Sequence, residues 1–264
     1  MPTELLKFDT HIHTNASPCS SNKPERVVDK AVQAGLGEIV IKDHDRISGV
    51  LKAFEYNKPD QTGLIINPGL EVTTDCGEIG IDFANFEELE RILELKEDGI
   101  TSFRRLIELC MEIQYEDDST LLKDLHHPYD FANPKRGFNF DKAQVEMGLS
   151  NIKEVMDLFD FTEINCSSTN IREVQFAVKL ATQYMIPIVR STDSHFIPQI
   201  GRYYSTTLKS SARNAIISGD LDNYPANTPR PMQFVRSVNY SRARYYRLRS
   251  WLLKKYRKSF GDFK

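Results

Sequence analysis

Short apolar runs alternate with longer amphipathic segments over the first two hundred residues of the chain. The apolar runs have the length and composition of buried strands, and hydrophobic residues recur at helical spacing in the segments between them. Strands are predicted near residues 5–9, 37–42, 63–67, 78–83, 120–125, 159–165 and 186–190. Helices are predicted over residues 24–35, 48–57, 86–97, 101–116, 141–149 and 170–184. This alternation is typical of βα units and predicts an α/β fold with a mostly parallel sheet.

The pattern changes after about residue 210. Before that point the chain shows no repeat of fixed period and no Gly/Ser-rich linker, so residues 1–210 are predicted to form a single folded unit. Residues 218–231 are rich in Asp, Asn and Pro, which favours irregular structure. Residues 211–264 are therefore predicted to be a C-terminal extension that ends in a basic helical tail.

Composition narrows the class of protein. At 264 residues and 30.4 kDa the chain fits one large barrel-type domain or two small ones, and its 40% hydrophobic and 27% charged residues are typical of globular proteins. It contains no run of roughly 20 apolar residues and no signal-peptide pattern, so we expect a cytoplasmic protein that is not an integral membrane protein. The four cysteines form no CxxC motif, which excludes a zinc ribbon and favours reduced thiols.

Charge is distributed very unevenly along the chain, although the net charge is only −3. Residues 229–264 carry 11 Lys and Arg and one acid, Asp262, for a net charge of +10. The remaining 23 basic and 36 acidic residues give residues 1–228 a net charge of −13. The tail and the rest of the chain therefore have opposite charge.

The basic tail is compatible with three kinds of partner. Tyr245, Leu248, Leu252 and Tyr256 form an apolar stripe at helical spacing, with Arg and Lys around it. Such a helix suits docking on the acidic body of this protein or of a second copy in a homo-oligomer. It also suits a nucleic-acid backbone with stacked bases, or an anionic membrane surface.

All six histidines lie at or just beyond the ends of predicted strands. They occur in four stretches, DTHIH at 9–13, KDHD at 42–45, LHHP at 125–128 and STDSH at 191–195. Two further strand ends contribute Glu71, and Glu163 with Asn165. In barrels of βα units the carboxyl ends of the strands surround one mouth, so we expect these side chains to meet there.

The residue types at these strand ends favour metal binding. His11 and His13 are two apart, so both point to the same face of a strand, and Asp193 and His195 repeat this spacing. A single HxH pair is weak evidence, because buried histidines often have a structural role. Several acids and imidazoles crowded together without a cation would cost several kcal/mol, so the joint pattern predicts a site for divalent metal ions.

The order of the motifs DTHIHT, KDHD, GLEVTT, HHP and STDSH, over roughly residues 7–208, resembles the polymerase and histidinol phosphatase (PHP) family. The resemblance implies a distorted (β/α)7 TIM-like barrel with two or three divalent ions, which are zinc, manganese or iron. It also implies hydrolysis of phosphate esters. Carried over residue by residue, the resemblance implies a first site of His11, His13, Glu71 and Asp193, a second of Glu71 and His127, and a third of His44 and His195.

Three positions depart from the family pattern. The turn after the first motif contains Pro18 and Cys19 where the family often has an acid or a histidine, so the third site lacks a ligand unless Cys19 supplies one. Glu78 stands where a histidine is common, and is predicted to ligate through oxygen. Lys42 replaces the usual threonine before the DH motif.

Several neighbouring residues are assigned supporting roles. His127 directly precedes a proline, as the family histidine does, so His126 is interpreted as structural or as supporting a ligand. Asp43 is predicted to be catalytic by orienting an imidazole, and Asp45 shares this possibility; the alternative is that both are helix-capping or turn carboxylates. Glu163 is a candidate for contact with metal or substrate.

Arg136 and Arg202 follow the HHP and STDSH motifs and are predicted to contact phosphate, because a guanidinium group matches its geometry. The alternative interpretation is that both are surface arginines.

The chain is accordingly predicted to be a metal-dependent phosphoesterase acting on a small phosphorylated substrate or a nucleotide. In this hypothesis two divalent ions about 3.5–4 Å apart would hold a phosphoryl oxygen and lower the pKa of a bridging water, so that no protein nucleophile would be needed. The sequence has no GxSxG motif, no recognisable cysteine-hydrolase motif and no Walker loop. The alternative is a nucleic-acid-associated module, a nuclease or a binding unit that uses the basic tail.

Overall fold

A single mixed sheet forms the framework of the part of the chain that the computed structural model describes, residues 5–97, 99–116, 119–129, 137–165 and 171–223. The strands in chain order are β1 (Leu6–Ile12), β2 (Glu38–His44), β3 (Ile65–Thr74), β4 (Gly77–Asp82), β5 (Leu122–Leu125), β6 (Phe161–Asn165), β7 (Ile188–Ser191), β8 (Ser205–Thr207) and β9 (Asp222–Asn223). Their spatial order is β7-β6-β5-β4-β3-β2-β1-β8-β9.

The sheet curls into a nearly closed barrel. β1, β2 and β3 are parallel, as are β5, β6 and β7, whereas β4 is antiparallel to both of its neighbours and β8 is antiparallel to β1. Beyond β7 the chain meets the end of β1, where His13 N donates to Ser194 O at 3.0 Å and Ser194 N donates to His11 O at 3.3 Å. The predicted α/β TIM-like barrel is thus confirmed, with a sheet that is mixed.

Nine α-helices in the described residues connect the strands. They are α1 (Pro24–Gln33), α2 (Ser48–Tyr56), α3 (Pro59–Thr62), α4 (Phe86–Glu94), α5 (Phe103–Tyr115), α6 (Phe140–Met147), α7 (Ile152–Met156), α8 (Ile171–Tyr184) and α9 (Ala212–Ser218). Local sequence explains several helix ends. Asn85 forms a capping box with Glu88 at the start of α4, and Gly148 ends α6 with a positive φ. Among the described helices none combines the length and apolarity that a membrane crossing requires.

β3 is longer than its sequence suggests and continues from Ile65 to Thr74, past the Pro-Gly pair at 68–69 that resembles a strand end. Gly69 is required here, because a Cβ would lie 2.6 Å from Val40 Cγ1 and 2.9 Å from Lys42 Cγ. The extra length places Glu71 inside a paired strand rather than at its end.

Side chains inside the barrel form layers. Phe8, Val40, Leu122, Phe161 and Val189 are buried in one apolar cluster. Because side chains alternate along a strand, the residues two positions further along three of these strands also face the interior. Those residues, Lys42, Asp124 and Glu163, form a charged layer above the apolar one.

The fold continues beyond residue 210. In α9, Ala212 and Ile216 are buried in the same apolar cluster as Phe8 and Phe161. β9 then pairs with β8 in antiparallel orientation. The division of the chain at residue 210 remains a prediction, and the basic tail over 229–264 lies outside the described residues.

The apolar layer should dominate stability. We expect Phe161→Ala, which empties part of a fully buried layer, to lower the free energy of unfolding by about 3–5 kcal/mol. The matched change Phe54→Ala removes a ring that is 53% exposed and should cost less than about 1 kcal/mol. Urea unfolding of both variants measures this, and equal losses would contradict the assignment of Phe161 to the core.

Candidate metal centre

All six histidines of the chain lie close together at one end of the barrel. The imidazole rings form a connected set in which each ring has a neighbour with a centroid 4.5–5.0 Å away. β1 supplies the ring of His11 and the end of β2 supplies that of His44, and segments just beyond strands supply the other four. The structure thus brings the scattered sequence motifs to one place.

The first group of donors surrounds the HxH pair. His11 Nε2 and His13 Nε2 are 3.0 Å apart, and Glu71 Oε2 and Asp193 Oδ1 each lie 3.1 Å from His13 Nε2 and 3.6 Å from His11 Nε2. Ligands about 2.0–2.1 Å from a tetrahedral zinc ion are separated by roughly 3.3 Å. The observed separations bracket that value. The donor atoms of His11, His13 and Asp193 all lie within 4.8 Å of one another, so these three side chains fit a zinc-sized cation, and Glu71 Oε2 lies beside both imidazoles.

A second group includes both sides of the β3–β4 hairpin. Thr73 pairs with Glu78, which places Glu78 near Glu71. Glu71, Glu78, His126 and His127 have donor atoms within 4.8 Å of one another. His126 Nε2 lies 2.7 Å from Glu71 Oε1, closer than His127 Nε2 at 3.7 Å. Both histidines therefore lie at this position, because strand alternation no longer separates neighbouring residues once β5 has ended at Leu125.

A third group consists of imidazoles alone. His13, His44 and His195 have donor atoms within 4.8 Å of one another, and His44 Nδ1 also lies 3.2 Å from Glu71 Oε2. Cys19, considered above as a substitute ligand, belongs to none of the donor groups that the described part of the chain forms.

In the first group the imidazoles and the carboxylates strongly shift one another's pKa. Burial would lower the pKa of both imidazoles, but the neighbouring carboxylates outweigh it and raise the pKa of His13 to about 9 and that of His11 well above its ordinary value. Burial would raise the pKa of Glu71 and Asp193, yet the imidazoles hold both well below their usual range. Without a metal ion, protons on the imidazoles balance the carboxylates, and a divalent cation would replace those protons.

Asp43 supports His13 through a serine. Ser17 Oγ donates to Asp43 Oδ1 at 2.6 Å, so its oxygen accepts from His13 Nδ1 at 3.2 Å. Asp43 also accepts from the backbone N–H and hydroxyl of Thr14. Gly49 leaves room for this arrangement, because a Cβ there would lie 2.0 Å from Asp43 Oδ2. Asp43 thus contacts the turn after β1 and reaches the imidazole only through Ser17.

Asp45 and Arg202 make their hydrogen bonds outside the donor groups. Asp45 accepts from Thr73 N and pairs with Lys96, as a turn carboxylate does. Arg202 is exposed and donates to Pro198 O at 2.7 Å. Arg136 lies outside the described residues.

A buried charged layer beneath the histidines was not predicted from the sequence. Lys42 Nζ lies 3.0 Å from Asp82, 2.7 Å from Asp124 and 3.0 Å from Glu163, and Glu163 Oε2 lies 2.8 Å from His11 Nδ1. Burial alone would lower the pKa of Lys42, but the three carboxyl groups raise it well above its ordinary value. The available signal was a lysine in the apolar strand sequence EIVIKDH, because charged residues inside buried strands are almost always paired.

Together, the barrel and its mouth of imidazoles and carboxylates define a metal-dependent hydrolase of the βα-barrel type. A PHP domain family model matches residues 9–149, just over half of the chain. A relative described as a probable phosphatase, from Caldicellulosiruptor bescii, is 27% identical over 218 residues, which cover 75% of this chain and 83% of that relative.

Solved structures show the same fold. PsfC from Pseudomonas syringae PB-5123 superimposes with a TM-score of 0.60 at 16% identity, covering 90% of this chain and 99% of that one. A sulfate-bound amidohydrolase from Chromobacterium violaceum gives a TM-score of 0.53 at 11% identity, covering 84% and 99%. The chain belongs to the PHP family of metal-dependent phosphoesterases, and the predicted enzyme class, a phosphoric ester hydrolase, is confirmed.

The raised pKa of His13 predicts a pH-dependent stability in metal-free protein. Protonated His13 stabilises the folded state fully below pH 6.5, and this contribution is lost as the pH rises through about 9. We expect the free energy of unfolding in a chelator to fall by about 3 kcal/mol over that interval. Saturating Zn²⁺ should abolish the fall, because a bound ion replaces the proton.

Urea unfolding between pH 6 and 9.5, with chelator and with Zn²⁺, measures this dependence. His13→Gln is the control variant, since its neutral side chain does not titrate and its metal-free stability should vary less. A metal-free wild-type protein with equal stability at pH 6.5 and 9 would contradict the prediction.

Proposed function

We propose that this protein is a phosphatase that hydrolyses small phosphate monoesters, nucleotides included, with two or three divalent ions held at the mouth of the barrel. The observation that carries the proposal is the convergence of three donor groups around one shared carboxylate, Glu71. A carboxylate shared in this way suits the bridging of two ions.

The proposed ligands are taken from the three donor groups. The proposed ligands are His11, His13, Glu71 and Asp193 for the first ion, Glu71, Glu78, His126 and His127 for the second, and His13, His44 and His195 around the third position. Mixed imidazole and carboxylate donors favour zinc, manganese or iron over magnesium or calcium, which prefer oxygen alone. When bound, such ions polarise a phosphoryl oxygen and acidify a coordinated water.

The protein orients the imidazoles of His11 and His13 so that Nε2 faces the centre. Glu163 accepts the Nδ1 proton of His11, and Ser17, whose own proton is directed to Asp43, accepts that of His13. Hydrogen bonds of this kind fix the tautomer of a metal-binding histidine and increase its basicity. Asp43 and Glu163 therefore have positioning roles in the proposed centre.

The substrate is proposed to enter beside the third and second donor groups. The side chains of His44, Glu78 and His195 are 18%, 12% and 12% exposed, whereas those of His11 and Asp193 are fully buried. Phosphate would therefore meet the centre on the side of His44 and His195.

The relative described as a probable phosphatase supports a phosphatase rather than a nuclease. The nucleic-acid alternative depends on the basic tail, and nothing in the described residues favours it. Contact of Arg136 or Arg202 with phosphate remains a prediction.

Activity with model esters tests the proposal. Purified protein should hydrolyse p-nitrophenyl phosphate faster than the bis-p-nitrophenyl diester, and only with added Mn²⁺ or Zn²⁺. Glu71→Gln should lower kcat/KM by more than about a hundredfold, because it removes the shared ligand. The matched change Glu87→Gln alters an exposed helical residue and should have little effect.

The double variant His11→Ala/His13→Ala should be inactive. Activity that persists in a chelator, or in this double variant, would show that hydrolysis does not use the proposed centre. A preference for the diester would leave the metal centre intact as a proposal and overturn the assignment as a phosphatase.

A further inference from the structure

The Lys42 side chain is completely buried in the barrel, one layer beneath the proposed metal ligands. All three protons of its ammonium group have a carboxyl partner, Asp82 Oδ2, Asp124 Oδ2 and Glu163 Oε1, at 2.7–3.0 Å. Its partners come from β4, β5 and β6, three adjacent strands that β3 separates from β2, so one cation links β2 to strands with which it does not pair. Removal of this charge would leave three buried carboxyl groups without their cation, so its effects are expected to extend beyond local packing.

The backbone is adapted to this network. Gly69 lies against Lys42, where a Cβ would be 2.9 Å from Cγ, and Gly80 lies against Asp124, where a Cβ would be 2.7 Å from Oδ2. Both glycines stand in strands, where glycine is unfavourable unless another group must approach closely. Two neighbouring strands thus make room for the ammonium group and one of its partners.

The ammonium group occupies a place with the chemistry of a cation site. His11, Asp124 and Glu163 offer donor atoms within 4.8 Å of one another, as the three groups at the mouth do. Lys42 Nζ contacts two of these three residues. The ammonium group of Lys42 therefore lies at a position where a metal ion would otherwise be held.

Glu163 connects this inner cation to the first donor group. Its Oε1 accepts from Lys42 and Thr10, and its Oε2 accepts from Ser191 and lies 2.8 Å from His11 Nδ1. Each oxygen is thus fixed by at least two neighbours. The position of Oε2 determines the direction of His11 Nε2, on the opposite side of the ring.

We propose that Lys42 is a positioning residue of the metal centre, a built-in cation that holds Glu163 against His11 and thereby orients His11 Nε2 toward the first metal position. The inference rests on the proposed function only in requiring that this position binds a metal ion. A purely structural Lys42 would instead balance buried charge without affecting metal binding.

Zn²⁺ binding to the full chain separates the two roles. Zn²⁺ is titrated into metal-free protein against a chromophoric chelator, and thermal unfolding is followed in parallel. We expect Lys42→Met and Glu163→Gln each to weaken binding of one ion by about 10–100-fold. Lys123→Met is the matched control, because Lys123 pairs with Asp160 and Gln114 away from the centre, and should leave Zn²⁺ affinity unchanged.

Two double variants make the test independent of folding losses. Lys42→Met/Asp82→Asn removes one positive and one negative formal charge, so the net formal charge of the buried layer is that of the wild type. Tm should therefore recover, while Zn²⁺ affinity stays low. In Lys42→Met/Glu163→Gln the loss of affinity should not exceed that of Glu163→Gln alone, because the two residues act in series. In NMR spectra of the imidazole nitrogens, the signals of His11 should shift in Lys42→Met. These signals are assigned by their absence from the spectrum of His11→Gln.

The outcomes are distinct. Wild-type affinity in Lys42→Met, affinity restored together with Tm in the charge-balanced variant, or additive losses with Glu163→Gln would each overturn the role of Lys42 and leave the proposed function standing. Failure of the wild-type protein to bind Zn²⁺ would overturn both proposals.

Discussion

Acidic side chains sealed inside a barrel require cations, and this requirement organises the molecule. Asp82, Asp124, Glu163, Glu71 and Asp193 are all at most 1% exposed. An isolated carboxylate buried in this way would be strongly unfavourable, so each needs a partner of opposite charge or a set of hydrogen bonds. Toward the closed end the partner is the ammonium group of Lys42, and toward the mouth the partners are imidazoles. The position of the proposed metal centre follows from this division.

The layers themselves follow from strand alternation. β2 directs Val40, Lys42 and His44 to the interior in succession, and β5 with its extension directs Leu122, Asp124 and His126. Each strand thus contributes an apolar, a charged and an imidazole side chain at two-residue spacing. A one-residue slip of β2 would move all three of its contributions out of the interior at once. The same strand register therefore determines both the packing of the core and the placement of the donor side chains.

Local pattern predicted the first seven strands and the mouth of the barrel, because apolar runs and strand-end histidines are visible in single segments. It missed the short strands β8 and β9 and the short helices α3, α7 and α9. It could not predict the partners of Lys42, which lie 40, 82 and 121 residues further along the chain. The sequence pattern also predicted that β3 ends before the Pro-Gly pair, because Pro-Gly is typical of turns. In the structure β3 continues through this pair, and the close approach of Val40 requires glycine at position 69. The presence of both His126 and His127 near Glu71, at 2.7 and 3.7 Å, depends on the backbone after β5, where alternation gives no guidance.

The inner ammonium group also explains where metal chemistry can take place. An ion bound among His11, Asp124 and Glu163 would lie beneath completely buried imidazoles, out of reach of a substrate on the side of His44 and His195, whose side chains are slightly exposed. A lysine in that place occupies the position with a group that cannot bind water as a metal ion does. One ammonium group does not balance three carboxylates, but burial raises the pKa of Asp82 to about 7 and the pKa of Asp124 well above its usual range. The inner layer therefore needs no further cation, and the proposed metal ions are confined to the mouth. The barrel can therefore bury its inner carboxyl groups without a metal ion. The only positions left for metal ions are those that a phosphate ester can reach.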